Sequence, residues 1–289
     1  MTLKNSYKTS PSLRPIVTPI VHILQQTPNS KSFVLKAPEI AKNATPGQFL
    51  MVWIPGIDEI PMSISNTIGD QVEFTAAKVG EATTRLHELK AGDLLGLRGP
   101  LGQGFQFPSN TKKKPLLLVA GGCGSPPVYF AAVETIKQGF TVDSVLGAST
   151  ENELLFHDAF KKLNLRKFIV TTDDGSAGQK GTSVDAVSTL LERGSNYAAC
   201  FACGPEGMLV SLYQLMKPLP IALQFSLERY MKCGVGICGH CIIDDQGRRV
   251  CHEGPVFEAQ TLEGSDFGRW TRDVTGKRQR PNNTEVCPH

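Results

Sequence analysis

The sequence predicts a multidomain β plus α/β protein: an antiparallel β-barrel, then a parallel α/β domain, then a small cysteine-rich region. Two changes of pattern along the 289 residues indicate this division. Early in the chain, short runs rich in Val, Ile, Phe and Thr are broken by Pro, Gly, Asn or Asp, as in strands joined by tight turns. Apolar strands then alternate with helical segments, and glycine and cysteine become frequent near the end. We expect domains at 11–108, 112–224 and 225–272, with a polar tail at 273–289.

Six short strands and one helix are expected in the first domain. The strands are predicted at 16–25, 31–37, 48–54, 62–66, 71–79 and 93–98, and the helix at 81–89. Strands that follow one another through tight turns form antiparallel hairpins and need no long crossover connections. The pattern therefore favours an antiparallel barrel or sandwich.

Strand, turn and helix repeat in the second domain. Strands are predicted at 115–120, 142–148, 167–171 and 197–202, and helices at 127–138, 153–161, 183–192 and 206–216. Parallel neighbours need a crossover helix between them. The order is typical of a Rossmann-like sheet covered by helices.

The composition is that of a folded, soluble protein, with 40% hydrophobic and 20% charged residues. A formal net charge of +3 is too small to indicate a nucleic-acid or membrane partner. The first fifteen residues lack the apolar core of a signal peptide, and no apolar run approaches the roughly 18 residues of a membrane span. We therefore expect a cytoplasmic protein, in which grouped cysteines more often serve metals or redox chemistry than disulfides.

Four of the eight cysteines have the spacing of a metal cluster site. Cys233, Cys238, Cys241 and Cys251 form the pattern C-x4-C-x2-C-x9-C, which begins as a plant-type 2Fe-2S site does. Glycines inside the loop let backbone N–H groups approach the cluster sulfurs where a Cβ would block them. The return to the fourth cysteine is expected to be a hairpin over 242–250.

Two other kinds of site share these residues. Residues 238–241 read CGHC, the sequence of a disulfide isomerase motif, but that motif follows a strand and opens a helix, whereas glycines and another cysteine precede it here. Structural zinc usually takes two C-x2-C pairs, and this region has one. His240 and His252 are possible ligands, although four thiolates already complete the site. The spacing favours 2Fe-2S over zinc or a dithiol.

Two glycine-containing turns are candidate nucleotide sites. The first follows a buried strand and opens a helix, so a pyrophosphate can rest on its free N–H groups; its candidates are Gly121, Gly122, Gly124 and Pro127. The second is expected at the carboxyl edge of the sheet, where such sheets bind ligands; its candidates are Cys203, Gly204, Pro205 and Met208. Cys203 is the candidate catalytic residue, facing a nicotinamide ring. A plain structural turn is the alternative for the first motif.

Residues 61–64 and 80–84 are weaker candidates in the barrel. Glycine and threonine before a helix make an N-terminal cap that can also receive a phosphate. The alternative is a cap without a ligand.

Taken together and in this order, the motifs resemble the ferredoxin reductase superfamily. Residues 228–241 and 250–257 narrow the resemblance to the electron-transfer subunit of the dihydroorotate dehydrogenase B type, and 265–273 to its archaeal version. The resemblance covers nearly the whole chain. Its cluster motif is specific, and its flavin motif is much less so.

The resemblance implies an FAD site in the barrel. Its residues would be Pro61, Met62, Ser63, Ile64, Ala77, Lys78, Gly80, Ala82 and Thr83. Ile60 stands where the family commonly has arginine, and Ala82 where it commonly has glycine. Lys78, Arg85 and Arg98 are therefore the candidate cations for the FAD pyrophosphate. Residues 147–150 contain no arginine for a 2′-phosphate, which favours NADH over NADPH.

The function implied is electron transfer between NAD(H) and the FMN of a separate catalytic subunit, through FAD and a 2Fe-2S cluster. That partner would oxidise dihydroorotate to orotate on the pathway to UMP, in a heterotetramer of two subunits of each kind. Two alternatives stay open. One is the flavin subunit of a sulfhydrogenase or of an NADH-dependent ferredoxin:NADP oxidoreductase. The other is a binding module whose cysteines hold zinc.

Overall fold

The computed structural model describes residues 14–108 and 114–280, which begin with a closed six-stranded barrel. Its strands are β1 (Ile16–Thr27), β2 (Ser30–Lys36), β3 (Phe49–Ile54), β4 (Asp58–Ile68), β5 (Gln71–Ala77) and β6 (Leu94–Leu101). They pair in the order β1-β2-β5-β4-β3-β6 and close through β1 and β6, antiparallel throughout. The prediction of an antiparallel barrel is confirmed.

Two short helices complete the barrel domain. Helix α1 (Pro38–Asn43) connects β2 to β3 and was not predicted from the sequence; α2 (Glu81–Glu88) lies where a helix was expected. Alternate residues of the strands point inward, so Phe33, Ile64 and Phe74 form a core with no solvent exposure. Their neighbours in sequence face outward, toward the second domain or solvent.

The second domain is a Rossmann-like sheet, also as predicted. Its parallel strands are β7 (Leu116–Gly121), β8 (Val142–Ala148), β9 (Lys167–Thr172), β10 (Gln179–Lys180), β11 (Ala199–Cys203) and β12 (Ala222–Ser226). Its helices are α3 (Ser125–Lys137), α4 (His157–Lys161), α5 (Ser183–Glu192) and α6 (Glu206–Met216). The strand order is β10-β9-β8-β7-β11-β12.

Four details of this domain differ from the predictions, and the first is strand β10, which was not predicted. The helix expected at 153–161 is shortened to α4, because Phe156 adopts a left-handed φ of 60° and a separate turn forms at Glu151–Glu153. Strand β12 was not predicted. After the cysteine loop, β15 (Val256–Glu258) returns to pair antiparallel with β12 and ends the sheet.

The cysteine-rich region contains two small hairpins. The first, β13 (Ile242–Ile243) with β14 (Arg248–Arg249), is the expected return toward Cys251. The second joins β16 (Thr271–Arg272) to β17 (Arg278–Gln279), so the segment expected to be a polar tail begins with ordered structure. The proposed domain boundaries stay predictions. No helix within residues 14–108 and 114–280 is long and apolar enough to cross a membrane.

Candidate redox site

A cleft lies where the barrel, the α/β domain and the start of the cysteine region meet. Barrel residues form one wall, and the other side comes from the turn after β7 and the segment after β12. The lining residues are Phe49, Pro61, Met62, Ser63, Thr75, Ala77, Cys123, Pro126, Leu155, Ser226, Leu227, Glu228, Arg229, Met231 and Pro255. An apolar cleft between domains with a few polar groups is the usual setting of a cofactor site.

Some residues proposed for FAD line this cleft and others do not. Pro61, Met62, Ser63 and Ala77 are on its wall. Ile64 instead points into the barrel core and is fully buried, which leaves only its backbone for a ligand. Lys78 and Gly80 are exposed beyond the cleft, and Ala82 and Thr83 lie in the first turn of α2.

The turn before α2 is capped by a side chain. Thr83 Oγ1 accepts hydrogen bonds of 2.9 Å from the N–H groups of Val79 and Gly80. This bonding is that of an N-terminal cap, one of the two alternatives for this motif. The N–H groups of the first helical turn have no partners within a helix, so the cap and a phosphate site are compatible.

The three candidate cations for the FAD pyrophosphate have different surroundings. Arg98 is 8% exposed and bonded to Glu59 and to the carbonyl of Cys233. Arg85 pairs with Glu88 on the surface of α2. Lys78 is exposed one residue after β5. Arg98 thus bonds both the barrel and the cysteine loop, and which of the three cations meets the pyrophosphate stays a prediction.

The two nucleotide turns are brought together at the carboxyl edge of the sheet. Strands β7 and β11 are parallel neighbours, and Ala120 is opposite Cys203. A Cβ on Gly124 would lie 2.1 Å from the carbonyl oxygen of Cys203, so only glycine allows this approach. A Cβ on Gly121 would likewise lie 2.7 Å from Sδ of Met208 across the same junction. Gly122 begins the short helical turn that follows Gly121, and Pro127 lies within the first turn of α3.

Cys203, the candidate catalytic residue, is 1% exposed at the end of β11. Burial and the neighbouring Glu228 carboxylate raise the pKa of its thiol, and a hydrogen bond with Ser226 only partly opposes them. A neutral thiol cannot act as a nucleophile. The thiol of Cys203 is therefore neutral, and its position facing a nicotinamide ring stays a prediction.

Sequence reasoning missed the cleft wall formed by residues 226–231. Glu228 and Arg229 lie side by side there, and burial raises the pKa of the Glu228 carboxyl to about 7. Arg229 is 4% exposed and pairs with Glu206 at the start of α6. The missed signal was a short apolar strand, β12, which ends at the ligand-binding edge.

The four cluster cysteines lie as two neighbouring pairs. The thiols of Cys233 and Cys238 are within hydrogen-bond reach of each other, as are those of Cys241 and Cys251. Within the described ranges, no three His, Cys, Asp or Glu side chains gather at one point that could hold a single ion. A 2Fe-2S cluster takes two ligands at each of two irons. The two pairs therefore fit such a cluster.

Backbone N–H groups point at these sulfurs. The Sγ of Cys233 accepts from the N–H of Ile237 at 3.3 Å, and the Sγ of Cys251 accepts from that of Gly236 at 3.2 Å. Partial burial opposes the Cys233 thiolate, but hydrogen bonds from the backbone N–H groups of Cys238, Val235 and Ile237 outweigh it and lower the pKa of Cys233 to about 6. A thiolate at neutral pH is what iron ligation requires.

The alternatives for this loop fit less well. Residues 238–241 lie in turns instead of at the start of a helix, so the activation used by a disulfide isomerase is missing there. His240 Nε2 contacts the carbonyl of Asp273 at 3.1 Å, and His252 Nδ1 contacts Glu253 at 3.0 Å. Both histidines are therefore engaged outside the sulfur pairs.

Comparison with known proteins agrees with this arrangement. A family model described as the iron-sulfur cluster binding domain of dihydroorotate dehydrogenase B matches residues 228–263. A protein of Methanocaldococcus jannaschii named "Probable dihydroorotate dehydrogenase B (NAD(+)), electron transfer subunit" is 41% identical over 92% of this chain and 98% of its own length. The chain belongs to this family of electron-transfer subunits. A member from Methanothermobacter thermautotrophicus is 40% identical over 91% of this chain and 97% of its own.

Solved structures place the family fold among ferredoxin reductases. A chain from the structure of an NADH-dependent reduced ferredoxin-NADP oxidoreductase has a TM-score of 0.77 and 29% identity, over 87% of this chain and 90% of that one. A ferredoxin NADP+ reductase from Neisseria gonorrhoeae has a TM-score of 0.60 and 20% identity, over 74% of this chain and 99% of that one. At that identity the second match concerns the fold alone.

Proposed function

We propose that this chain carries electrons between NAD(H) and a separate FMN-containing dihydroorotate dehydrogenase subunit in pyrimidine biosynthesis. The observation that carries the proposal is that three candidate sites border one cleft. Pro61 to Ser63 form the flavin side, Cys123 and Pro126 belong to the nicotinamide side, and Met231 leads within two residues to Cys233. Electrons would therefore cross short distances inside one protein.

The proposed cofactors divide the chemistry. A flavin accepts the hydride of NADH and returns electrons singly, as a 2Fe-2S cluster requires. In this proposal the barrel wall and the start of α2 hold FAD, the glycine turns after β7 and β11 hold NADH, and the four cysteines hold the cluster. The apolar lining of the cleft would exclude water from the cofactors. Burial keeps the Cys203 thiol neutral.

The proposed assembly has two chains of each kind. Dihydroorotate would bind on the FMN subunit, and this chain would deliver or receive the electrons. The family name supports a dehydrogenase partner. The stoichiometry and the FMN rest on the sequence resemblance.

Anaerobic purification and NADH titration test the proposal. We expect flavin absorption bands with a broad iron-sulfur shoulder, bleaching by NADH, and a paramagnetic signal from the reduced cluster. Addition of the FMN subunit should then allow NADH to reduce its flavin. A colourless protein with one zinc, or no reduction of the partner flavin by NADH, would contradict the proposal.

A second candidate function comes from the similarity to the NADH-dependent reduced ferredoxin-NADP oxidoreductase. A chain with this function would exchange electrons with a pyridine-nucleotide-binding partner instead of an orotate-forming one. Co-purification followed by assay with dihydroorotate distinguishes the two. Oxidation of dihydroorotate by the isolated complex supports the first function, and its absence beside NADPH-linked activity supports the second.

A further inference from the structure

A partly buried ion pair connects the barrel to the cysteine loop. Arg98, on β6, donates from Nε and Nη2 to the two carboxylate oxygens of Glu59, on β4, at 2.6 and 2.7 Å. Its Nη2 also donates to the main-chain carbonyl of Cys233 at 3.1 Å. A bidentate pair fixes the plane of the guanidinium. A positive charge is therefore held beside the first cysteine of the loop.

The loop lies directly on the barrel wall next to this charge. Gly234 has a left-handed φ of 69°, and a Cβ there would lie 2.6 Å from Cγ of Met51 and 3.4 Å from Cδ1 of Leu101. Met51 is fully buried and Leu101 is 4% exposed. The contact leaves little space for water, so the charge of Arg98 is weakly screened.

The opposite side of the loop has a more exposed counterpart. Arg249 pairs with Glu253 and donates to the carbonyl of Gly236 at 2.5 Å. Its side chain is 34% exposed, against 9% for that of Arg98. Because water screens exposed charges more strongly, Arg98 is the stronger of the two electrostatic influences.

We propose that the Arg98–Glu59 pair sets the reduction potential of the cluster, an inference that rests on the proposed function. Reduction adds one negative charge at the four cysteines, and a nearby guanidinium stabilises that charge. The negative charge of Glu59 opposes the electrostatic effect of Arg98, but its carboxylate also fixes the orientation of the guanidinium. The charge of Arg98 therefore makes the cluster easier to reduce.

Redox titration of the holoprotein, followed by the paramagnetic signal of the reduced cluster, tests this proposal. At the wild-type midpoint, Arg98→Gln should lower the ratio of reduced to oxidised cluster about tenfold, which is 59 mV for one electron. Glu59→Gln should raise the ratio, and the double variant should lie between the two. Arg98→Lys keeps the charge and should remain closer to wild type than Arg98→Gln.

Lys137→Gln is the matched control. It removes one positive charge from an exposed pair with Glu134 on α3 and should leave the ratio unchanged. Shifts of Arg98→Gln and Glu59→Gln in the same direction, or an Arg98→Gln shift no larger than that of Lys137→Gln, overturn the proposal. If Arg98→Gln does not retain the cluster, Glu59→Gln and Arg98→Lys become the test of the proposal. A ratio of reduced to oxidised cluster in Glu59→Gln that does not rise above that of wild type then overturns the proposal. A wild-type protein without a cluster signal overturns the proposed function as well.

Discussion

The four cysteines assigned to the cluster differ in their surroundings. Cys238 is exposed, whereas Cys241 and Cys251 are each 2% exposed. Ile237, next to Cys238, is 80% exposed, so this corner of the loop projects into solvent. The Cys238 thiol can thus be changed without disturbing the buried core.

Cys238→Ser should abolish the cluster signal and leave FAD bound. One iron would lose a thiolate, while the flavin cleft does not include Cys238. Iron content, the paramagnetic signal and flavin absorbance measure the two outcomes. Cys200→Ala removes a buried thiol from β11 and should keep both cofactors. Loss of FAD with retention of the cluster in Cys238→Ser would contradict the placement of the sites.

The buried carboxyl of Glu228 should make the stability of the protein depend on pH. Burial raises the pKa of its carboxyl from 4.5 to about 7, although Arg229 favours the charged form. Between these values the folded protein keeps a proton that the unfolded chain has lost, so stability falls as the pH rises through this window. Above this pH window, the carboxylate is ionised in both states and the full free-energy cost of burying its charge remains.

Glu228→Gln cannot ionise and should therefore be more stable than wild type at pH 8, by about 3 kcal/mol from the size of the shift. At pH 4.5 the two should be nearly equal. Melting temperatures across this range measure the difference. Glu192→Gln, exposed on α5, should show no such trend. A constant difference between Glu228→Gln and wild type would show that its cause is packing and not charge.

At the level of elements, the sequence predicted what depends on local pattern. Alternating side chains mark the barrel strands, and the continuous apolar run of β7 marks a strand buried on both faces. The cysteine spacing and the glycine turns could be recognised for the same reason, because each is a short segment with a characteristic local sequence. These predictions needed no knowledge of distant contacts.

The missed elements depend on partners far along the chain. Helix α1 has six residues and β15 has three, too short for a periodic pattern. Strand β12 is stabilised by β11 on one side and β15 on the other. Because β12 was missed, so was the cleft wall at 226–231. The contact of Arg98 with the carbonyl of Cys233 was missed because the two residues are 135 positions apart.

At the level of the whole molecule, the two large domains share a core. Phe130 of α3 is 1% exposed and packs into the barrel core with residues such as Met62 and Ile64. Helix α3 also begins at the nucleotide turn and contacts β4. The packing that joins the domains therefore also forms the cleft between them.

Phe130→Ala should lower stability by about 3–5 kcal/mol, the usual cost of removing a buried aromatic side chain, and should also weaken FAD binding because the cleft loses its support. Phe160→Ala is the matched control: Phe160 is fully buried in the α/β domain on α4, away from the barrel core. It should cost similar stability but retain FAD. Melting temperature and flavin content after gel filtration measure both effects. Equal retention of FAD by the two variants would show that the cleft does not depend on the contact between domains.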